Sequence, residues 1–206
     1  MAAPRLRVEG RGTFDRVIEL SKDQEADLAT EDGAHPRRLR LGIGWDKSRT
    51  GGFIGTGAPE IDLDASAIQF ADGKLFDLAF YNNLATRDGS VVHQGDNRSG
   101  SGAGDDETIL VDLDKVYAKV DRIFLLVSSY AGHSLEWIDN AYCRVVSDDE
   151  AAVELARVSL TFAVKETGLV IAEIVRREAD WSLHAIGAGV AAKIPTEAVA
   201  ALQRLP

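Results

Sequence analysis

Apolar and polar positions alternate along most of this chain. Leu39, Leu41, Ile43 and Trp45 are separated by Arg40, Gly42 and Gly44. Successive side chains of a strand leave opposite faces, so this period of two predicts a half-buried strand. The pattern recurs where Ile61, Leu63, Ala65 and Ala67 interleave with Asp62, Asp64 and Ser66, and where Ile109, Val111 and Leu113 flank Asp112. Asp72-Gly73 predicts a tight turn between Ile68-Gln69-Phe70 and a strand through Phe76, Leu78 and Phe80; Asp88-Gly89 predicts another, leading into Val91-Val92. Further strand-like runs are Arg122–Tyr130, Asn140–Val146, Glu154–Phe162, Leu169–Arg176 and Trp181–Ile186, with a less regular one over Thr13–Leu20. About nine or ten short strands with regular turn signals predict an all-β fold, a β-sandwich of two packed sheets.

Two segments break this pattern. Ser21–Pro36 is polar and charged, with Gly33 and Pro36 as breakers, and is expected to form a mobile loop with room for a short helical turn. Thr196–Leu205 is helical in character: Val199, Leu202 and Leu205 fall three apart, Thr196 is available as a cap, and Pro195 precedes it. No solenoid-type repeat is present. A single domain over residues 1–206 is expected, with 1–38 as a divergent N-terminal segment.

Composition narrows the function classes. The chain has 206 residues, 45% hydrophobic and 27% charged, which suffices for a full core. Its net charge of −10 repels phosphate backbones and anionic lipids, so nucleic acid is excluded as a partner and cations are favoured. The sole cysteine, Cys143, sits among apolar and aromatic neighbours and reads as a packed core thiol in a reducing compartment. No secretory signal and no transmembrane-length apolar run is visible, so a soluble, cytoplasmic protein without membrane insertion is expected.

The chemistry concentrates in carboxylates. Asp62 and Asp64 lie two apart on a predicted strand, so both leave the same face. Side-by-side carboxylates repel, and a divalent cation removes that repulsion. A second acidic group closes the glycine-rich loop Gly95–Glu107: Asp96 and Asn97 open it, and Asp105, Asp106 and Glu107 end it. Asp46, Asn82 and Asn83 add further oxygen donors. Oxygen ligands with no His or Cys cluster favour calcium over zinc. The loop is no EF-hand, because counting from Asp96 places Arg98 and Gly100 where that motif needs oxygen ligands.

These residues also carry a resemblance. Leu41-Gly42-Ile43-Gly44-Trp45-Asp46, Ile61-Asp62-Leu63-Asp64-Ala65-Ser66, Phe80-Tyr81-Asn82-Asn83-Leu84, the run from Asp88-Gly89 to Gly95-Asp96-Asn97-Arg98, and Gly104-Asp105-Asp106-Glu107 occur in that order. The series resembles the TerD-type family of bacterial tellurite-resistance and general stress proteins, most strongly over residues 39–127. The resemblance implies a β-sandwich with two adjacent calcium ions and cytoplasmic residence. It also implies a role in tellurite, oxidative or envelope stress within a complex of protein partners, some membrane-associated. It places the acidic positions at Asp46, Asp62, Asp64, Asp96, Asp105, Asp106 and Glu107. The family's N-terminal strands are not recognisable in Arg5–Pro36, and the loop Lys47–Glu60, with Phe53 and Ile54, is longer and more apolar than expected.

Other function classes fit less well. Gly132-His133-Ser134 is not a nucleophile elbow, and the carboxylates have no aromatic sugar platform beside them in sequence. His93 reads as a satisfied strand-end histidine, and Trp45, Trp137 and Trp181 as core. A non-enzymatic, calcium-dependent interaction module is therefore expected, with Phe53 and Ile54 as a docking tip. The alternatives are a calcium-organised carbohydrate- or ligand-binding sandwich and, behind it, a calcium-dependent hydrolase.

Overall fold

The computed structural model describes residues 17–47, 62–95, 104–160, 164–178 and 180–206. In chain order the first strands are β1 (Ile18–Leu20), β2 (Glu25–Asp27), β3 (Arg38–Lys47), β4 (Asp64–Ala71), β5 (Lys74–Ala79) and β6 (Val91–His93). They are followed by β7 (Glu107–Asp112), β8 (Val120–Ser128), β9 (Ile138–Ser147), β10 (Glu154–Leu160), β11 (Gly168–Arg177) and β12 (Asp180–Val190). One 3-10 turn, Leu135–Trp137, precedes β9, and α1 (Pro195–Leu202) follows the last strand.

The strands form two six-stranded sheets, ordered β1-β10-β9-β3-β7-β6 and β2-β12-β11-β8-β4-β5. All pairings are antiparallel except β1 with β10. The β-sandwich expected from the alternation is the architecture observed. Leu39, Leu41, Ile43 and Trp45 of β3 fill the interior together with Leu63, Ala65 and Ala67 at the start of β4.

The second sheet is covered on both faces, which explains its composition. A strand buried on both sides reads as a continuous apolar run. Ile123, Leu125 and Val127 of β8 point into the sandwich, while Phe124 and Leu126 point outward under α1. Ala198 and Leu202 of the helix pack there against Ile68, Phe70, Phe124 and Val170. Phe70 and Phe124 meet edge to face at 5.1 Å. The helix lies where its apolar spacing placed it, but Thr196 is not its cap. Ile194 occupies that position without a side-chain bond, Pro195 opens the helix, and Glu197 reaches back to accept the Lys193 N–H at 2.8 Å. Proline suits this place because its missing N–H would have no intrahelical partner.

The N-terminal segment departs from expectation. Ser21–Pro36 contains a strand rather than only loop: β2 pairs with Ser182–His184 of β12. Glu25 is only 6% exposed although it stands opposite His184, on the outer face of the second sheet. Arg177 grips both its carboxylate oxygens at 2.9 and 3.0 Å, and the Ser182 hydroxyl also donates to it. A charged residue so partnered can be buried, although it hides the strand from a sequence reading. Of the expected strand Thr13–Leu20, Ile18–Leu20 is observed; residues 13–16 lie outside the described residues.

The turn before β6 shows how a short acidic motif shapes the fold. Asp88 accepts from the Thr86 hydroxyl at 2.8 Å, from the Ser90 N–H at 3.0 Å and hydroxyl at 2.7 Å, and from the Tyr117 N–H at 3.1 Å. Burial alone would raise its carboxyl; the bonds from Ser90, Thr86 and Tyr117 outweigh that and hold it below the ordinary carboxylate value. Asp88 therefore stabilises the fold above about pH 4, and this contribution fades as pH falls through its lowered folded value. Asp88→Ala should destabilise the protein at neutral pH by about 1–3 kcal/mol. Melting both proteins across the acid range checks this: the difference between them should shrink as the carboxyl protonates.

Candidate functional site

Asp62 and Asp64 sit where the chain enters the second sheet. Leu63 and Ala65 are buried in the sandwich interior, so the two carboxylates turn to the opposite, outer face. Asp64 pairs in register with Ser128 of β8 and is 7% exposed; Asp62 is half-buried. Asp62 Oδ1 and Asp64 Oδ2 are both sheltered from solvent. The pair is thus brought together on one face, as the spacing predicted. Desolvation disfavours the charged form of a carboxylate, and a cation alongside favours it.

The three consecutive acids at the end of the second motif diverge instead. Asp105 lies against the outer face of the first sheet. Its oxygens take a two-pronged grip from Arg144, at 2.7 and 2.9 Å, and the Tyr142 hydroxyl donates to it at 3.2 Å and to Gly104 O at 3.0 Å. The hydrogen bond to Asp105 raises Arg144 above its already high value, so this guanidinium stays charged. Asp106 closes onto β3: its N–H donates to Ile43 O at 2.8 Å, and its Oδ2 accepts the Trp45 N–H at 3.0 Å. Glu107 points inward with Ile109 and Val111, 1% exposed, and meets His93 Nε2 at 2.9 Å. Only Glu107 belongs to β7; Asp105 and Asp106 precede it and follow no strand register, so Asp105 reaches the outer face although it stands two before the inward Glu107.

Gly42 explains why Asp105 fits. A Cβ there would lie 2.0 Å from Asp105 Oδ2. Gly44 stands the same way to Tyr142, where a Cβ would come within 2.6 Å of the ring. Glycine inside a strand marks a close approach of this kind. The alternating glycines of β3 were the signal in the sequence, and the Arg144–Tyr142–Asp105 cluster is what they pointed to.

The remaining candidates divide. The Asn83 side chain donates to Leu78 O at 2.6 Å and Ala85 O at 3.3 Å, and its backbone bridges Phe80, so it builds the turn after β5. Asn82 in the same turn is exposed. Asp96, Asn97, the Asp46 side chain and the loop bearing Phe53 and Ile54 lie outside the described residues. Among the described residues, no group of three or more His, Cys, Asp or Glu is gathered as a metal shell. A hard dication wants several oxygen ligands on one side of it. Asp62 and Asp64 offer two carboxylates towards it. Asp105 and Glu107 do not, being directed to Arg144 and His93 in other layers of the sandwich.

Other reactive groups are held quiet. Cys143 is fully buried; desolvation, then the charge of Asp105, push its thiol up to about 12, so it remains a neutral core residue. His93 is a buried, partnered histidine: its Nδ1 accepts the Gly95 N–H at 3.1 Å while its Nε2 meets Glu107. Trp45 and Trp181 are core; the Trp137 side chain lies outside the described residues. An acid–base cluster that spacing did not reveal joins Arg122, Glu173 and His184 on the outer face of the second sheet. There Glu173 Oε1 meets His184 Nδ1 at 3.0 Å, and Arg122 binds Glu173 and, at 2.9 Å, Pro206 O. No helix among the described residues is long and apolar enough to cross a membrane.

Comparison with known proteins places this arrangement. The TerD domain model matches residues 17–198, so it includes β1 and β2, the part of the chain whose family character was hidden in the sequence. The tellurium resistance protein TerZ of Serratia marcescens is 38% identical over 175 residues, covering 83% of this chain and 89% of that protein. The stress response protein SCP2 of Bacillus subtilis is 39% identical over 187 residues, covering 84% and 92%. General stress protein 16U of the same organism is 35% identical, covering 84% and 91%. The crystal structure of a homologue of telluride resistance protein (TerD) from Streptomyces coelicolor superposes with a TM-score of 0.66 at 18% identity, covering 83% of this chain and 99% of that one, and so shares its fold. With the domain matched over most of its length and relatives this similar, the chain belongs to the TerD family.

Proposed function

We propose that this protein is a calcium-binding member of the bacterial stress-response machinery that acts by binding rather than by catalysis. The observation that carries the reading is the placement of Asp62 and Asp64 together on one face at the head of β4, both with oxygens sheltered from solvent. Two carboxylates withdrawn from water side by side are stabilised by a dication. Relatives named for tellurium resistance and general stress support the biological setting.

In this reading Asp62 and Asp64 are the principal described ligands. Asp96 and Asn97 of the glycine-rich sequence and Asp46 at the end of β3 remain further candidate ligands by residue type. Calcium would supply charge neutralisation at this rim. The output is an interaction surface for protein partners in the cytoplasm, set by the bound state. Asp105 and Glu107 support the site through Arg144 and His93.

Thermal melting of chelator-treated protein with and without calcium tests this. A ligand that binds only the folded state adds about 2.7 kcal/mol at a hundredfold excess over Kd. At roughly 2–4 °C per kcal/mol for a chain of this size, the melting temperature should rise by about 5–10 °C. An unchanged melting curve at millimolar calcium would contradict the reading.

A further inference from the structure

We infer that a cleft on the outer face of the second sheet, between the β1–β2 turn and the chain that follows α1, binds a small apolar α-amino acid as its zwitterion. The site is separate from the calcium reading and stands or falls without it.

A buried carboxylate sets the floor of the cleft. Glu173 of β11 is 3% exposed. Arg122 of β8 donates from Nε to its Oε2, and His184 of β12 meets its Oε1 through Nδ1 at 3.0 Å. A carboxylate paired with a guanidinium offers only acceptors, so Nδ1 is the ring atom that carries the proton. Nε2 of the neutral ring is then a bare acceptor. Glu173 thus fixes both the orientation and the tautomer of the imidazole. With the Nδ1 edge occupied, the Nε2 edge is the one left for an occupant, and among the described residues no group donates to it.

The walls come from segments distant in sequence. The β1–β2 turn is sewn to β12 by Asp23 N–H to Ala185 O at 2.8 Å and by Ala185 N–H to Gln24 O at 2.9 Å. This sets Lys22 and Asp23 along the cleft. Arg122 ties down the chain after α1 through Pro206 O at 2.9 Å, and its guanidinium lies over the Phe124 ring at 4.6 Å. Ile186, Ala188 and Leu205 give the cleft its apolar lining. It encloses about 170 Å³. A closed apolar cavity of about 150 Å³ holds benzene, so this one takes a body of roughly six to eight non-hydrogen atoms.

Charge and shape narrow the occupant. Lys22 and Asp23 place a cation and an anion side by side, so a ligand of one sign is repelled by one of them while a zwitterion is matched by both. An ammonium donates to the Asp23 carboxylate and to His184 Nε2, both of which only accept. The ligand carboxylate faces Lys22. A branched aliphatic side chain covers Ile186, Ala188 and Leu205. A metal ion fits less well: the cleft offers it one imidazole and one carboxylate, with Lys22 and Arg122 alongside.

Titration of the isotope-labelled full chain with L-leucine, followed through its amide resonances, tests the inference. The titration is run in chelator, so its outcome is independent of calcium. Amides of Lys22–Gln24 and His184–Ala188 should shift together and saturate with a Kd at or below about 1 mM. Isocaproate, which lacks the ammonium, and isopentylamine, which lacks the carboxylate, should each bind about tenfold more weakly or worse. Lys22→Ala and Asp23→Asn alter only side chains on a surface turn, so both should fold normally and each should weaken leucine binding about tenfold. His184→Ala should weaken it at least as much. In the free protein at about pH 8, above the ordinary histidine value, the His184 ring should carry its proton on Nδ1 in long-range nitrogen–proton spectra. No shift at about 10 mM leucine, shifts outside the cleft, or a ring protonated on Nε2 would each overturn the inference. So would equal binding of leucine and either truncated analogue, or rim variants that bind like wild type. If His184→Ala fails to fold, the rim variants and the analogues still decide the question.

Discussion

Replacing Asp62 and Asp64 together by asparagine is expected to lower calcium affinity by about a hundredfold or more. Each substitution keeps an oxygen but removes the charge that a hard dication requires, and a hydrogen bond or contact to a charged group is worth about 1.5–3 kcal/mol. Two such losses exceed the ~2.8 kcal/mol that a hundredfold change represents. The sign of the effect reverses in chelator. There the carboxylates of Asp62 and Asp64 lie two positions apart at the head of β4, and Asp64 is almost fully buried. Neutralising them relieves repulsion and desolvation, so the double variant should melt at or above the wild-type temperature. Asp23→Asn is the matched control: Asp23 sits in a turn with φ of 65°, a conformation asparagine tolerates, and its change should leave calcium binding intact. Titration calorimetry and melting of the three proteins provide the comparison. Equal affinity in wild type and the Asp62/Asp64 variant would move the site elsewhere.

Gly42→Ala should be among the most damaging single-methyl additions in the molecule. The new Cβ would lie 2.0 Å from Asp105 Oδ2, 2.2 Å from its Cγ and 2.5 Å from its Oδ1, so the carboxylate must leave its place. Its departure releases Arg144 and the Tyr142 hydroxyl together. Breaking a buried ion pair costs about 3–5 kcal/mol, and an exposed one well under 1. Here the Asp105 side chain is 8% exposed and that of Arg144 28%, which places the expected loss between these limits, at about 2–3 kcal/mol. Because the damage runs through Asp105, adding Asp105→Ala to Gly42→Ala should cost much less than it does in the wild-type background. Denaturant unfolding of the four proteins of this cycle measures that coupling. Strict additivity would show that Gly42 and Asp105 do not meet as described.

Much of the fold was legible because the dominant signal is periodic. The strict alternation of Leu39, Leu41, Ile43 and Trp45 survives intact in β3, and the Asp72-Gly73 turn joins β4 to β5 as its dipeptide predicted. What the alternation does not carry is partnership. Glu25 looks like a loop residue until Arg177, 152 positions away, is folded against it. The same limit applies at the site. Asp62 and Asp64 could be assigned to one face from their spacing, since that is a local property of the strand. Asp105, Asp106 and Glu107 read as one acidic cluster, yet only Glu107 lies in a strand, and the two residues before β7 are turned by contacts that the spacing does not show. Their partners Arg144, Trp45 and His93 come from three other strands. The family resemblance supplied the order of the motifs. The distribution of the acids between ion and scaffold required the side-chain geometry.

The central claim is that Asp62 and Asp64 hold calcium. A crystal structure grown with calcium, with the ion located by its anomalous scattering, tests it most directly. The account predicts an ion touching carboxylate oxygens of both Asp62 and Asp64, with Asp105 still gripped by Arg144 and Glu107 still on His93. Calcium absent from this rim, or found instead between Asp105 and Glu107 with Arg144 and His93 displaced, would contradict it.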